Sequence, residues 1–241
     1  MASKTSTSSS STSTADLIPD NFALLVEGAW KELTFKRVEA QDYPRVVRHI
    51  QEYFMKDEPT CSLLGYTNDF GDEMEAMVRK MLAENLSFLV EHAETSEVAG
   101  VRIMFRATPT NYFEYINVES YAGKVFLRLV DIMKKMSNLF DTYGVNEVAE
   151  LFIASCAPDF RQQGLATEMY RRSLEFLRAE GFKVAEAMFT SPYTRRTAEK
   201  LGFVEICRLD YKEFIDDIGH FVFNRDELTD ENFAAVMVKV L

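Results

Sequence analysis

The stretch Glu147-Val148-Ala149-Glu150-Leu151-Phe152-Ile153-Ala154-Ser155-Cys156-Ala157, continued by Pro158-Asp159-Phe160-Arg161-Gln162-Gln163-Gly164-Leu165-Ala166 and a helical run to Gly181, decides the fold. It reads as a strand, a tight basic turn and a helix. Gly164 and Ala166 put small residues where a backbone must approach a ligand closely. A helix that starts here leaves its first N–H groups unpaired, and its partial charge of roughly +0.5, joined by Arg161, suits a pyrophosphate. The plainer alternative is a helix start with a surface arginine.

Working outward, Leu33–Val38 alternates like a strand, and Asp42 is expected to cap a helix with apolar residues at Tyr43, Val46, Val47, Ile50, Tyr53 and Phe54, ending near Met55. A polar break follows at Lys56–Thr60, in which Pro59 holds Glu58 extended. Residues 72–84 and 122–141 show helical periodicity, and 86–91 and 98–106 read as an antiparallel strand pair. Beyond Gly181 come a strand at 184–189, a helix at 192–200 and strands at 204–211 and 234–240. This order predicts an α/β (α+β) architecture with a central mixed, mostly antiparallel sheet and helices on both faces.

The turn Arg161-Gln162-Gln163-Gly164-Leu165-Ala166 after a strand, with Leu201-Gly202-Phe203 some forty residues on, resembles the acetyl-CoA-dependent N-acyltransferases of the GNAT superfamily. The resemblance implies the GNAT fold, with a splayed strand pair at the CoA site and acetyl-CoA as cosubstrate. It also implies that Phe152, Ile153 and Ala154 lie against pantetheine, and that Arg161, Gln162, Gln163, Gly164, Leu165, Ala166 and Thr167 hold the pyrophosphate. A strand that parts from its neighbour offers free backbone groups to an extended pantetheine arm.

An alkylammonium has a pKa near about 10, so on the order of one amine in a thousand is free to attack a thioester at neutral pH, and an N-acyltransferase needs a base. The segment Phe54-Met55-Lys56-Asp57-Glu58-Pro59 resembles the Asp-Glu-Pro segment of the insect arylalkylamine (dopamine) N-acetyltransferases, whose matching Glu is the general base, acting through water. Glu58 is therefore the candidate base; from spacing alone it reads as part of a solvated acidic loop. In those enzymes two serines four apart line the active site, and the matching positions here are Thr190 and Thr194. Their hydroxyls can bond substrate or relay a proton, or they cap the helix. A tyrosine that protonates the CoA thiolate in much of the superfamily is replaced here by Ala198, and the insect enzymes also lack it; that leaves Thr194, Tyr193 or water for the task, or a thiolate that departs unprotonated. Cys156 raises the alternative of a covalent acyl-enzyme, against which stands the absence of a sequence-adjacent base. The Pro-His pair near the C-terminus of the insect enzymes has no counterpart in Thr229-Asp230-Glu231-Asn232-Phe233.

Composition bounds the rest. The 47% hydrophobic content indicates a globular chain, and no apolar run reaches the roughly 20 residues of a membrane span. The expectation is a cytoplasmic protein without membrane contact, folded as one domain over residues 19–241, behind a disordered Ser/Thr-rich tail at 1–18. A net charge of −11 argues against nucleic acid and favours a cationic partner. Neither Cys61, Cys156 and Cys207 nor His49, His92 and His220 suggest a metal site. Tyr53, Phe54, Tyr66, Phe70, Met104, Phe105, Tyr112 and Phe113 are candidates for an aryl slot or for core. The combined expectation is a monomeric enzyme acetylating the primary amine of dopamine-, tyramine-, octopamine- or serotonin-type substrates by direct attack in a ternary complex. The alternatives are an acyltransferase for agmatine or polyamines, one using longer acyl-CoA donors, and a noncatalytic acyl-CoA-binding module.

Overall fold

A computed structural model describes residues 20–65, 67–110 and 117–241; the Ser/Thr-rich tail, Tyr66, Tyr112 and Phe113 lie outside the described residues. Eight strands form one open sheet in the order β1 (Gly28–Trp30), β2 (Leu33–Arg37), β3 (Phe88–His92), β4 (Val98–Ala107), β5 (Val148–Cys156), β6 (Val184–Phe189), β8 (Phe233–Val240), β7 (Val204–Asp210). Every neighbouring pair is antiparallel except β5 with β6.

That parallel pair opens the molecule. Pairing between β5 and β6 is confined to Ala149↔Ala185 and Glu150↔Glu186, although β5 runs on to Cys156 and β6 to Phe189. The splay predicted for the CoA site is therefore present. Its cause is visible on the other edge of β5: the register with β4 moves from Ile103↔Ile153 to Phe105↔Glu150, so Leu151 and Phe152 together face Met104. Such a bulge bends its strand and turns it away from a neighbour.

Helices cover both faces, each over its own apolar cluster. On one side α2 (Tyr43–His49), the π turn that follows it (Ile50–Phe54), α5 (Asn68–Leu82) and α6 (Tyr121–Ser137) bury Val46, Ile50, Met74, Met77, Phe126 and Leu129 against Val101, Ile103 and Val148. On the other, α1 (Asn21–Leu25) and α8 (Leu165–Ala179) bury Phe22, Leu165, Met169 and Leu177 against Phe35, Phe88 and Leu151. The helix α9 (Pro192–Lys200) adds Ala198 to the second cluster. At roughly 25 cal/mol per Å², these two layers are the main favourable term in folding.

Several boundaries differ from the sequence expectation. Asp42 stands at the N-cap of α2 as expected, but its side chain makes no capping bond there: a 3₁₀ turn at Ala40–Asp42 precedes the helix, and the Asp42 carboxylate accepts from the Glu39 N–H at 3.2 Å. The helix continues past Met55 through a π turn at Ile50–Phe54 into α3 (Met55–Asp57). The expected polar break shrinks to Glu58, because Pro59 suits the first position of a helix, and α4 (Pro59–Leu64) starts there. The long helix breaks at Asn138, which is left-handed (φ +40°), and resumes as α7 (Leu139–Tyr143). No helix among the described residues is long and apolar enough to cross a membrane.

Candidate active site

The gap between β5 and β6 opens into a cavity of about 660 Å³ that joins the basic turn to the Asp57-Glu58-Pro59 segment. Its wall holds Tyr53 and Phe54 from the π turn, Phe152 and Ala154 from β5, Phe189 and Thr190 from the end of β6, and Tyr193 and Thr194 from α9. The π turn inserts one extra residue per turn, which rotates Tyr53 and Phe54 toward the opening. Of the other candidates for an aryl slot that are described, Phe70, Met104 and Phe105 are core.

Glu58 is extended (φ −70°, ψ 126°), as a residue before proline should be, and caps α4: one carboxylate oxygen accepts from the Cys61 N–H at 2.7 Å. The other accepts the hydroxyl proton of Thr190, a residue 132 positions away in sequence. Its charge reaches further. Burial first, and Glu58 second, push the thiol of Cys61 well above its usual range and do the same to the phenol of Tyr211, whose hydroxyl meets that of Thr60 at 2.5 Å.

The two threonines part company. Thr190 is buried and holds Glu58, whereas the Thr194 hydroxyl turns back onto the Ser191 carbonyl at 3.1 Å. Ser191 starts α9, and neither threonine caps it. Thr190→Val, which removes the bond to Glu58, is expected to lower kcat/KM roughly tenfold; Thr194→Val, which costs only a local backbone contact, should change it less than about twofold. Steady-state kinetics on both variants checks the difference.

At the other end, α8 begins at Gly164, which is left-handed (φ +89°), after Gln162, also left-handed at φ +60°. Glu168 donates to the Gly164 carbonyl at 3.1 Å, so the amides from Gly164 to Thr167 have no acceptor inside the helix. Gln162, Gly164, Leu165, Ala166 and Thr167 line the cavity, while the Gln163 side chain folds back onto the Asp159 carbonyl at 2.8 Å. Arg161 lies across the mouth: it donates to the Cys156 carbonyl at 2.9 Å and to the Asp57 carboxylate at 2.6 Å, tying the turn to the residue before Glu58. On β5, Ile153 is buried in the core and Phe152 and Ala154 face the opening. A strand edge beyond the β5–β6 pairing, helix-start amides with no acceptor inside their helix and a glycine whose side without Cβ is open fit a pantetheine arm and its pyrophosphate.

Several residues here escaped the sequence reading. Glu150 and Glu186 line the cavity floor, both buried and side by side in the short parallel register. The signal was present as Val-Ala-Glu repeated in Val148–Glu150 and Val184–Glu186, a carboxylate inside each of two apolar runs. Arg102 of β4, paired with Ala154 of β5 and fully buried, lies over the Tyr170 ring at 4.2 Å, with Glu150 as a counter-charge. His49, for which the sequence shows no neighbour that would mark a ligand or base, has its Nε2 3.1 Å from the hydroxyl of Ser155, a cavity-lining residue of β5.

Burial holds the pKa of His49 down at about 4. Unfolded, it titrates near about 6.5, so between these values the unfolded chain binds more protons and stability rises with pH. The contribution is about 3 kcal/mol, complete above the unfolded value and lost as pH falls toward the folded one. His49→Gln should flatten this part of the profile, as urea unfolding on either side of the window will report. Cys156 has its thiol pushed up to about 11 by burial, the opposite of what a nucleophile needs. Among the described residues no group of three or more His, Cys, Asp or Glu is placed to hold a metal.

Comparison with known proteins agrees with this geometry. Residues 122–203 match the sequence model of the family described as Acetyltransferase (GNAT) family, whose acyl donor is acetyl-CoA. The fold is similar to arylalkylamine N-acetyltransferase 2 from Aedes aegypti, with a TM-score of 0.73 at 23% identity over 86% of this chain and 98% of that one. It is similar also to a mosquito arylalkylamine N-acetyltransferase like 5b, with a TM-score of 0.77 at 20% identity over 87% and 100%. A Drosophila melanogaster polyamine N-acetyltransferase, which catalyses the formation of N-acetylagmatine, gives a TM-score of 0.75 at 13% identity over 87% and 100%. At such identities the likeness speaks for the fold, and the family match covers the strand, turn and helix that form the site. Residues 122–203 thus match the GNAT acetyltransferase family, inside a fold similar to that of these N-acetyltransferases.

Proposed function

We propose that this protein acetylates the primary amine of an arylalkylamine, with Glu58 as general base and direct transfer in a ternary complex. The observation that carries the reading is the Glu58 carboxylate, held by the Thr190 hydroxyl and the Cys61 amide at the wall of the cavity that the basic turn also lines. Bound acetyl-CoA supplies the acetyl group as a thioester. Glu58 takes the ammonium proton, directly or through one water, and Thr190 fixes which carboxylate oxygen faces the amine. Tyr53, Phe54, Phe126 and Phe152 wall the cavity and offer faces to an aryl ring. The amides at the start of α8 orient the anionic end of the donor. The high pKa of Cys156 supports transfer without an acyl-enzyme.

A second reading is favoured by a specific feature: Asp57, Glu58, Glu150 and Glu186 line the same cavity as Arg102, Lys134 and Arg161, and this slight acidic excess suits an acceptor with a second cationic centre, such as agmatine or a polyamine. An equimolar mixture of tyramine and agmatine with limiting acetyl-CoA separates the two. Predominant N-acetyltyramine by mass spectrometry is the expected result; predominant N-acetylagmatine would transfer the assignment to the nonaromatic class.

A further inference from the structure

The two-residue turn between β1 and β2 reaches the far side of the basic turn. Trp30 pairs with Leu33, leaving Lys31 and Glu32 at the tip. Lys31 is left-handed (φ +54°), at the first turn position, where a hairpin favours glycine and a side chain costs roughly 1 kcal/mol. The lysine side chain folds over the Trp30 ring, 4.3 Å from its centroid, and donates to the Gln163 carbonyl at 2.7 Å. Trp30 is only half-buried, and its indole edge would stand 4.0 Å from a Cβ on Gly164. A cation and an aromatic face thus sit beside the turn whose amides open the cavity, on the solvent side of Gly164. They come from a hairpin outside residues 122–203, which the family model matches.

We infer that Trp30 and Lys31 form a subsite for the adenosine 3′-phosphate end of CoA, the indole stacking on adenine and the ammonium facing the 3′-phosphate. The inference rests on acetyl-CoA as donor. With the pyrophosphate on the amides of Gly164–Thr167, the nucleoside leaves the cavity at this edge. An aromatic face tolerates any base by stacking, whereas a lysine point charge discriminates by phosphate count. The subsite makes affinity depend on the phosphate that distinguishes CoA from dephospho-CoA, and on ionic strength, because the charge is exposed.

Trp30 is the only tryptophan in the chain, so its emission reports this position alone. Wild type and Lys31→Ala are titrated with CoA, 3′-dephospho-CoA and pantetheine, following both tryptophan fluorescence and calorimetry. Expected are a change of emission with CoA and dephospho-CoA but not with pantetheine, and a loss of affinity of about tenfold in wild type when the 3′-phosphate is absent. That loss should shrink below about twofold in Lys31→Ala and return in Lys31→Arg. CoA binding by calorimetry with unmoved emission, or an equal dephospho-CoA penalty in wild type and Lys31→Ala, overturns the subsite alone. No CoA binding at all overturns the subsite together with the CoA reading.

Discussion

Glu58→Gln is expected to lower kcat/KM for an arylalkylamine by on the order of 10²–10³-fold while leaving the fold in place. Glutamine keeps an amide oxygen that can still cap α4 at the Cys61 N–H, so the stability cost should stay below about 1 kcal/mol. What it removes is the ability to accept a proton from an ammonium that is about 99.9% protonated at neutral pH. The pH–rate profile of kcat/KM should change with it. Glu58→Ala would mix two effects, since it also strips the cap and the Thr190 bond. An unchanged profile in the glutamine variant eliminates Glu58 as the base.

Gly164→Val should weaken CoA binding by on the order of 100-fold, measured by calorimetry, with a thermal midpoint lower by only a few degrees. Gly164 sits at φ +89°, where an L-residue costs about 1–2 kcal/mol and a β-branched one is least tolerated. The protein itself has room there, since a Cβ would meet only the Trp30 ring at 4.0 Å. The larger part of the effect therefore falls on the ligand, whose phosphates must come within hydrogen-bonding distance of the amides that follow. A fall in stability large enough to account for the lost binding would make Gly164 a folding residue instead.

The parts of this protein that could be read before its structure are those governed by local rules. The strand, turn and helix around Gly164 announce themselves because a left-handed glycine before an apolar-periodic run has few other uses. Pro59 likewise constrained Glu58, and the structure agrees to within the extended range. The splay of β5 from β6 was expected only from the resemblance; its physical origin, the bulge at Leu151 and Phe152, depends on pairing with a strand more than forty residues away. The bond between Thr190 and Glu58 is of the same kind, as is that between His49 and Ser155. No periodicity reports which residues meet across 132 or 106 positions. The strand β1 was missed because three residues cannot show alternation, and its Lys31 occupies a glycine position. Glu150 and Glu186 were overlooked for the opposite reason: an apolar run hides a single charge unless its partner strand is known.

Release of free CoA from acetyl-CoA, followed with a thiol reagent near neutral pH, tests the account most directly when run against dopamine, tyramine, serotonin, agmatine and spermidine. Saturable release that depends on the aromatic amines is the predicted result. No release with any of the five, in a protein that binds CoA by calorimetry, would contradict it and leave another acceptor or acyl donor, or an acyl-CoA-binding module, in its place.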